Sequence, residues 1–395
     1  MAPGTVKNVV LRNITGWASK RVIRDYDEYG SGKPARKALL SYLVLPLLPP
    51  LRLRDRVKFS NRGIAQEIPR VLNELGYSVD IVNYDNRDWL PDRPYDLFIG
   101  HGGINFESIS RRLPDSILRI YFATGIYWRE WNARISRRAA DLALRKGATL
   151  SSNREIQHDE DYALHHSDVI ICLGNSNAVE TYAKFQNAIG INNAIFPLDL
   201  DGLQGKNFSE GRKHFLFFSG RGNVHKGLDI LLEAFADTDL HLHVCQHLEP
   251  DFAHIYRREL TRCPNIHVHG FIRMRSKQFE SLAQQCNWVI SPSCTEGQPG
   301  AVLECMAYGL IPILSRETNI DIGDRGVRLD CCQVESLRSI AYRMSEMSVE
   351  TIQGMIAKTV ETTRTVYSIE KFRLDLHRAF VSIIKEISGS QTIPN

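Results

Sequence analysis

One repeated unit constrains this chain more than any other feature. It is a short run of β-branched and aromatic residues that ends in glycine or serine and leads into a charged, amphipathic stretch. The unit recurs in YDLFIGHGG (residues 95–103), LRIYFATG (118–125), SDVIICLG (167–174), HFLFFSG (214–220), NIHVHG (265–270) and NWVISPS (287–293). Apolar runs without alternation suit strands covered on both faces, and the covering comes from helices that carry the chain over between parallel strands. Loops at the carboxyl ends of such strands share one edge of the sheet, where ligands bind. The expected fold class is therefore α/β with doubly wound parallel sheets.

At 395 residues the chain is long enough for two cores. The first regular unit begins at RVKFS (56–60), followed by a helix through IAQEIPRVLNELG and a strand at SVDIVNY, so a domain is placed at 56–205. DGLQGKNFSEGRK (201–213) is polar, contains glycine and lacks a period, as a hinge does. A second α/β domain is expected over 206–367, and residues 368–395 form a helix with apolar spacing of three and four that packs back across the domains.

Charge is uneven. Up to Arg62 there are 13 Lys and Arg against 4 Asp and Glu, so residues 1–55 read as a basic and apolar extension. Within it, ALLSYLVLPLLPPL (38–51) lies between Lys33, Arg36 and Lys37 on one side and Arg52, Arg54 and Arg56 on the other. Two readings stay open. The run is a buried packing segment, or residues 33–56 dip into an anionic membrane surface, where each basic residue adds about 1 kcal/mol. The net charge of +4, without basic runs interleaved with aromatics, disfavours nucleic acid. No signal-peptide core or membrane-spanning run is evident, and the eight cysteines form no CxxC pair, so a cytoplasmic protein is expected, soluble or peripheral at the inner face of the membrane.

Two loops of the second domain carry the chemistry. SGRGNVHKG (219–227) places Gly220, Arg221, Gly222 and Lys226 before a helix, where two cations and a helix N-terminus suit a diphosphate; the bland alternative is a solvated basic loop. EGQPGAVLE (296–304) joins a strand to another helix, so Gly297, Gly300, Ala301 and Val302 can aim amides at an anion. Glu304, one turn into that helix, is placed to accept the hydroxyls of a ribose, and Glu296 to meet a second polyol.

In order and spacing, FFSGRGNVHKGLDILLEAF, NIHVHGFI and WVISPSCTEGQPGAVLECMAYGLIPILS resemble the donor-binding half of the retaining family 4 glycosyltransferases, of the "glycosyl transferases group 1" type. The resemblance implies a GT-B fold, two Rossmann-like domains facing a cleft, and sugar transfer from a nucleotide diphosphate sugar to a glycan or lipid-linked acceptor with retained anomeric configuration. It implies that Arg221 and Lys226 hold the diphosphate, that Glu304 holds the ribose, and that Glu296 lies by the reacting carbon. Arg273 would lie beside the base. No metal or other cofactor is implied. Gln298 and Pro299 stand where the family usually has Phe-Gly. The first half resembles the family chiefly in βα pattern; Asn61, Arg62, Gly63, His101, Thr124 and Tyr127 are its acceptor-side candidates, with a helix cap and a structural hydrogen bonder as the alternatives for Asn61–Gly63 and His101.

Two decoys are set aside. GSGK (30–33) lacks the leading glycine and the following Ser or Thr of a phosphate loop. His241, His243, Cys245 and His247 would share a strand face, but residues about 7 Å apart seldom converge on one metal ion, so packed histidines are expected. The rival functions are a GT-B phosphorylase or epimerase, and a non-catalytic nucleotide- or glycan-binding protein.

Overall fold

The computed structural model describes residues 16–17, 19–30, 36–48, 60–150, 152–185, 187–198 and 205–390. A seven-stranded sheet contains β1 (Val22–Tyr26), β2 (Arg36–Tyr42), β3 (Tyr77–Asn83), β4 (Leu97–Gly100), β5 (Leu118–Ala123), β6 (Val169–Leu173) and β7 (Ala188–Ile191), in the order β1-β3-β2-β4-β5-β6-β7. Only β1 runs antiparallel to its neighbour. The second sheet, β8 (His214–Phe218), β9 (His241–Cys245), β10 (Ile266–Val268), β11 (Trp288–Ser291), β12 (Ile311–Ser315) and β13 (Val327–Leu329), is wholly parallel in the order β10-β9-β8-β11-β12-β13.

The supposed extension is corrected. Residues 36–42 are β2, a central strand between β3 and β4, and Ala38, Leu39 and Leu40 are fully buried. A parallel strand covered on both faces has the same composition as a segment that enters a bilayer, which is why the run was ambiguous. The chain continues into a short 3-10 turn, Leu45–Leu47, with Leu47 in the core, so residues 38–48 pack internally. Lys37 pairs with Asp25 and Arg36 donates to the Leu75 carbonyl, so the two flanking cations among the described residues serve the fold. The expected strand at 56–60 lies, through residue 59, outside the described residues; Ser60 already opens the helix Ser60–Glu74. The first βαβ unit is therefore β2, this helix and β3. Ile64, Ala65, Ile68, Val71 and Leu72 recur at helical spacing, and all are fully buried against the sheet.

The edge strand β1 is held by electrostatics. Asp80 of β3 is 1% exposed and receives Arg24 at 3.2 Å, the Tyr95 hydroxyl at 2.6 Å, the Asp25 amide at 2.9 Å and the Arg93 guanidinium. Asp80→Ala strands these donors, so the unfolding free energy should fall by about 3 kcal/mol in urea denaturation. A change under about 0.5 kcal/mol would mean that the carboxylate does not hold the edge.

The chain crosses between sheets twice, side by side. The Ile195 amide donates to the Tyr367 carbonyl at 2.8 Å, and the Ile369 amide to the Ile195 carbonyl at 3.1 Å. The crossing thus lies earlier than the expected hinge. Residues 201–204 are outside the described residues, and 205–213 already belong to the second domain: Asn207 caps the short helix Phe208–Gly211, and buried Lys206 donates to the Ala283 and Gly309 carbonyls. The last helix, Ile369–Ser390, returns to the first core through Phe372, Leu376, Phe380 and Ile383, and Arg373 donates to Glu67 at 2.9 Å. The helix Trp128–Lys146 ties the domains as well. Its Leu142 is in the second core, Arg138 donates to the Pro292 carbonyl, and Lys146 pairs with Glu259.

Candidate functional site

In the second sheet β8 lies between β9 and β11, and the winding reverses there. A crevice opens at such a switch point because the loops beyond the two strands leave toward opposite faces. Those loops are Ser219–Gly227 and Pro292–Pro299, the pair singled out in the sequence. Gly227, with φ of +84°, precedes the helix Leu228–Phe235, and a Cβ there would meet the Pro292 carbonyl oxygen at 2.6 Å. Only glycine lets the two loops touch.

Arg221 and Gly220 are exposed at the loop tip, while Gly222 is buried. Lys226 and Glu296, 8% and 6% exposed, form a direct ion pair. The same Glu296 oxygen accepts from Ser293 at 2.9 Å. His225 packs against Trp131 with neither ring nitrogen bonded among the described residues. Burial, then the nearby charges of Lys226, Arg154 and Arg138, hold this imidazole neutral, well below its ordinary pKa.

Pro299 caps the helix Gly300–Ala307. The Gly300 and Ala301 amides have no acceptor among the described residues, so they are free to meet an anion. Val302 is corrected: its amide donates to the Pro299 carbonyl at 3.0 Å and is not available. Glu304, 7% exposed, is gripped at both oxygens by Arg275, at 3.0 and 2.8 Å. Burial raises its pKa, and the Arg275 bonds pull it back. Each oxygen keeps a lone pair for a ribose hydroxyl. Arg273, the residue selected from this loop by sequence, is exposed.

The first domain meets the site through the loop after β5. A Cβ on Gly297 would lie 2.1 Å from the Thr124 carbonyl oxygen, so Thr124 sits directly over the loop that carries Glu296. Tyr127 is the N-cap residue of the helix Trp128–Lys146. Its ring is buried, and its hydroxyl lies between Asp161 at 3.0 Å and Lys184 at 2.8 Å. His101 follows β4 and is half-buried between Tyr42 and Tyr84; its Nδ1 lies 2.8 Å from the Phe122 carbonyl. That bond requires Nδ1–H and leaves Nε2 as an acceptor. Burial lowers its pKa, against the carbonyl bond, so the ring is neutral at pH 7. Asn61, Arg62 and Gly63 lie in the first turn of their helix, and the Phe196 ring covers Gly63. A cavity of about 480 Å³ between the domains is lined by Tyr127, Arg134, Lys184, Arg316, Glu317 and Asn319, among others.

The family model described as glycosyl transferases group 1 matches residues 202–321. Its span takes in both loops. Over those residues the chain is similar to that family. No curated protein sequence matches the chain significantly. Solved structures match over nearly its whole length. Sucrose-phosphate synthase from Thermosynechococcus elongatus is 13% identical over 89% of this chain and 100% of that one, with a TM-score of 0.61. Anabaena HepE in complex with UDP and glucose is 14% identical over 88% and 99%, with a TM-score of 0.54. A mutant of S. aureus TarM in complex with Fondaparinux, alpha-GlcNAc-glycerol and UDP is 14% identical over 71% of this chain and 55% of that one, with a TM-score of 0.52. The fold of the chain is GT-B.

Sequence reasoning missed the residues that hold the two glutamates. Asn319, in a left-handed conformation after β12, donates to the carbonyls of Glu296 and Gly297 at 2.9 Å each. Ser293 and Arg275 do the same for the carboxylates. Ser293, three residues before Glu296, had a local signal; Asn319 and Arg275 reach this loop from elsewhere in the sequence and had none.

Proposed function

We propose that the protein transfers a sugar from a nucleotide diphosphate sugar to a hydroxyl of a glycan or lipid-linked acceptor, with retention of anomeric configuration. The observation that carries this reading is the convergence of Lys226, Glu296 and the free amides of Gly300 and Ala301 at the switch point of a domain similar to the group 1 glycosyl transferases. Cations and amides there can neutralise the departing diphosphate without a metal ion. Arg221 would add a second cation, Glu304 would hold the ribose, and Glu296 would face the sugar. As the sugar C1–O bond to phosphate breaks, a C1–O bond to the acceptor forms on the same face, and the acceptor proton passes to the leaving phosphate oxygen. Thr124 over Gly297 supports a cleft that excludes water, which keeps hydrolysis below transfer.

The HepE and TarM structures contain UDP, so UDP-glucose is the first donor to try. Incubation with uridine, guanosine and adenosine diphosphate sugars should release nucleotide from one class, and product NMR should show the donor's anomeric configuration. Glu304→Gln should weaken nucleotide binding about 10-fold or more. A wild-type protein that neither binds nor turns over any donor would end this reading; release that requires orthophosphate would indicate a phosphorylase.

A further inference from the structure

The crossing segment Asn192–Pro197 is wired to both glutamates of the donor loop by separate routes. Along one, the Asn193 amide and side chain donate to the Gln298 side-chain and main-chain oxygens at 2.6 and 2.7 Å, and Gln298 Nε2 donates to Asn192 Oδ1 and the Asn319 carbonyl at 2.8 and 2.7 Å. Asn319 in turn holds the carbonyls of Glu296 and Gly297. Along the other, Arg275 donates to the Phe196 and Pro197 carbonyls at 2.9 and 3.3 Å while its fork grips Glu304. The segment also carries Phe196 over Gly63 and binds the return crossing through Ile195.

Asn193, Gln298 and Asn319 are 2%, 4% and 1% exposed, so an unmade bond among them would leave a buried amide unsatisfied. Such a network holds one arrangement and changes as a unit. The Gln298 amide spends its oxygen and both donors on the crossing segment and Asn319, which accounts for a glutamine here and turns its amide away from the sugar.

We infer that Asn193, Gln298 and Arg275 are positioning residues that register Glu296 and Glu304 against the interdomain crossing, so that rotation of the domains about it moves both glutamates together. The inference rests on the donor-pocket reading above. It treats the crossing as a two-state element biased by the domain angle, with coupling carried by contiguous hydrogen bonds.

Two near-isosteric variants test it. Gln298→Glu replaces the Nε2 donor with an acceptor facing Asn192 and Asn319, and Arg275→Lys keeps the charge but loses the fork. Gln298→Glu should leave nucleotide affinity within about twofold while lowering the transfer kcat about 10-fold and raising the hydrolysed fraction of donor. Arg275→Lys should weaken nucleotide binding about 10-fold. Without ligand, amide hydrogen exchange should rise in both variants over residues 192–196 and 295–304 together. Faster exchange confined to the altered loop, or unchanged exchange in both, would overturn the inference. So would lower thermal stability with unchanged kinetic constants per folded molecule. If the wild type binds no nucleotide, the donor-pocket reading fails, and the exchange result alone decides whether the coupling exists.

Discussion

Replacing Lys226 by methionine should lower sugar transfer about 10²–10³-fold and, separately, reduce stability by about 3 kcal/mol. The two losses have different causes. In the resting site Lys226 and Glu296 neutralise one another in a buried crevice, and the shared oxygen has one other donor, Ser293. Without the ammonium, the carboxylate is a buried charge with a single neutral hydrogen bond, which is where the stability is lost. On the proposed function the catalytic loss would arise because the pair is a resting arrangement: a bound diphosphate would give the ammonium a second anion, and its charge would be needed most as the leaving group gains negative charge. The double variant Lys226→Met/Glu296→Gln separates them. It should return to within about 1 kcal/mol of wild-type stability, since a neutral pair of similar volume replaces the ion pair, yet remain inactive. Urea denaturation and donor turnover give the two readouts. If the single and double variants are equally unstable, the pair is not what the lysine stabilises.

The parts of the fold legible in advance were those written in local pattern. Strands such as HFLFFSG and NWVISPS announce themselves because a parallel strand covered on both faces needs an unbroken apolar run and a small residue where it meets the working edge. The same rule hid β2, since ALLSYLV satisfies it as well as it satisfies a lipid-facing segment, and the deciding fact is that β3 and β4 flank it. β1 was invisible for the opposite reason. VIRDY carries its charges because Asp80 and Arg93, more than 50 residues away, receive them. At the site, Lys226, Glu296 and Glu304 could be singled out as candidates because helix starts and glycine loops are local signals. The contact of Arg275 with Glu304 was not a local question, although Arg273 of the same loop had been singled out. Both stand in one loop, and only the positive φ of Arg275 and the carbonyls of Phe196 and Pro197 turn its side chain inward. The partners of Tyr127 were equally non-local: its hydroxyl is held by Asp161 and Lys184, more than 30 residues away.

The histidines that resembled a metal cluster lead to the other large effect, a loss of stability in acid. His214, His241, His243, His267 and His269 from three adjacent strands form two hydrogen-bonded rows. Nδ1 of His214 lies 2.9 Å from Nε2 of His243, Nδ1 of His243 lies 3.1 Å from Nε2 of His269, and Nδ1 of His241 lies 3.0 Å from Nε2 of His267. The rows stack on one another at 4.5 and 4.7 Å. With a proton on each Nδ1, every contact is a donor meeting an acceptor, so the array is complete only when the accepting rings of His243, His267 and His269 are neutral. Burial first, then the neighbouring imidazoles, push His214 down to about 4 and His243 to about 3 and lower His267, while burial alone lowers His269. A histidine depressed in the folded state is protonated more readily in the unfolded chain. Its contribution is therefore intact above about pH 6.5 and is lost as pH falls toward the folded value. Glu160, pushed up to about 7 by burial, acts in the opposite sense across the same window, whereas Asp25, held at about 2 by Arg93 and Lys37, matters only below about pH 4. The array's share must accordingly be read as a difference. Between pH 7 and pH 4.5 the stability gap between wild type and His243→Leu should shift by about 2 kcal/mol against the wild type, measured from urea midpoints at both pH values. A gap that stays constant would mean that the rings are not held neutral by the fold, and that the rows are packing without electrostatic consequence.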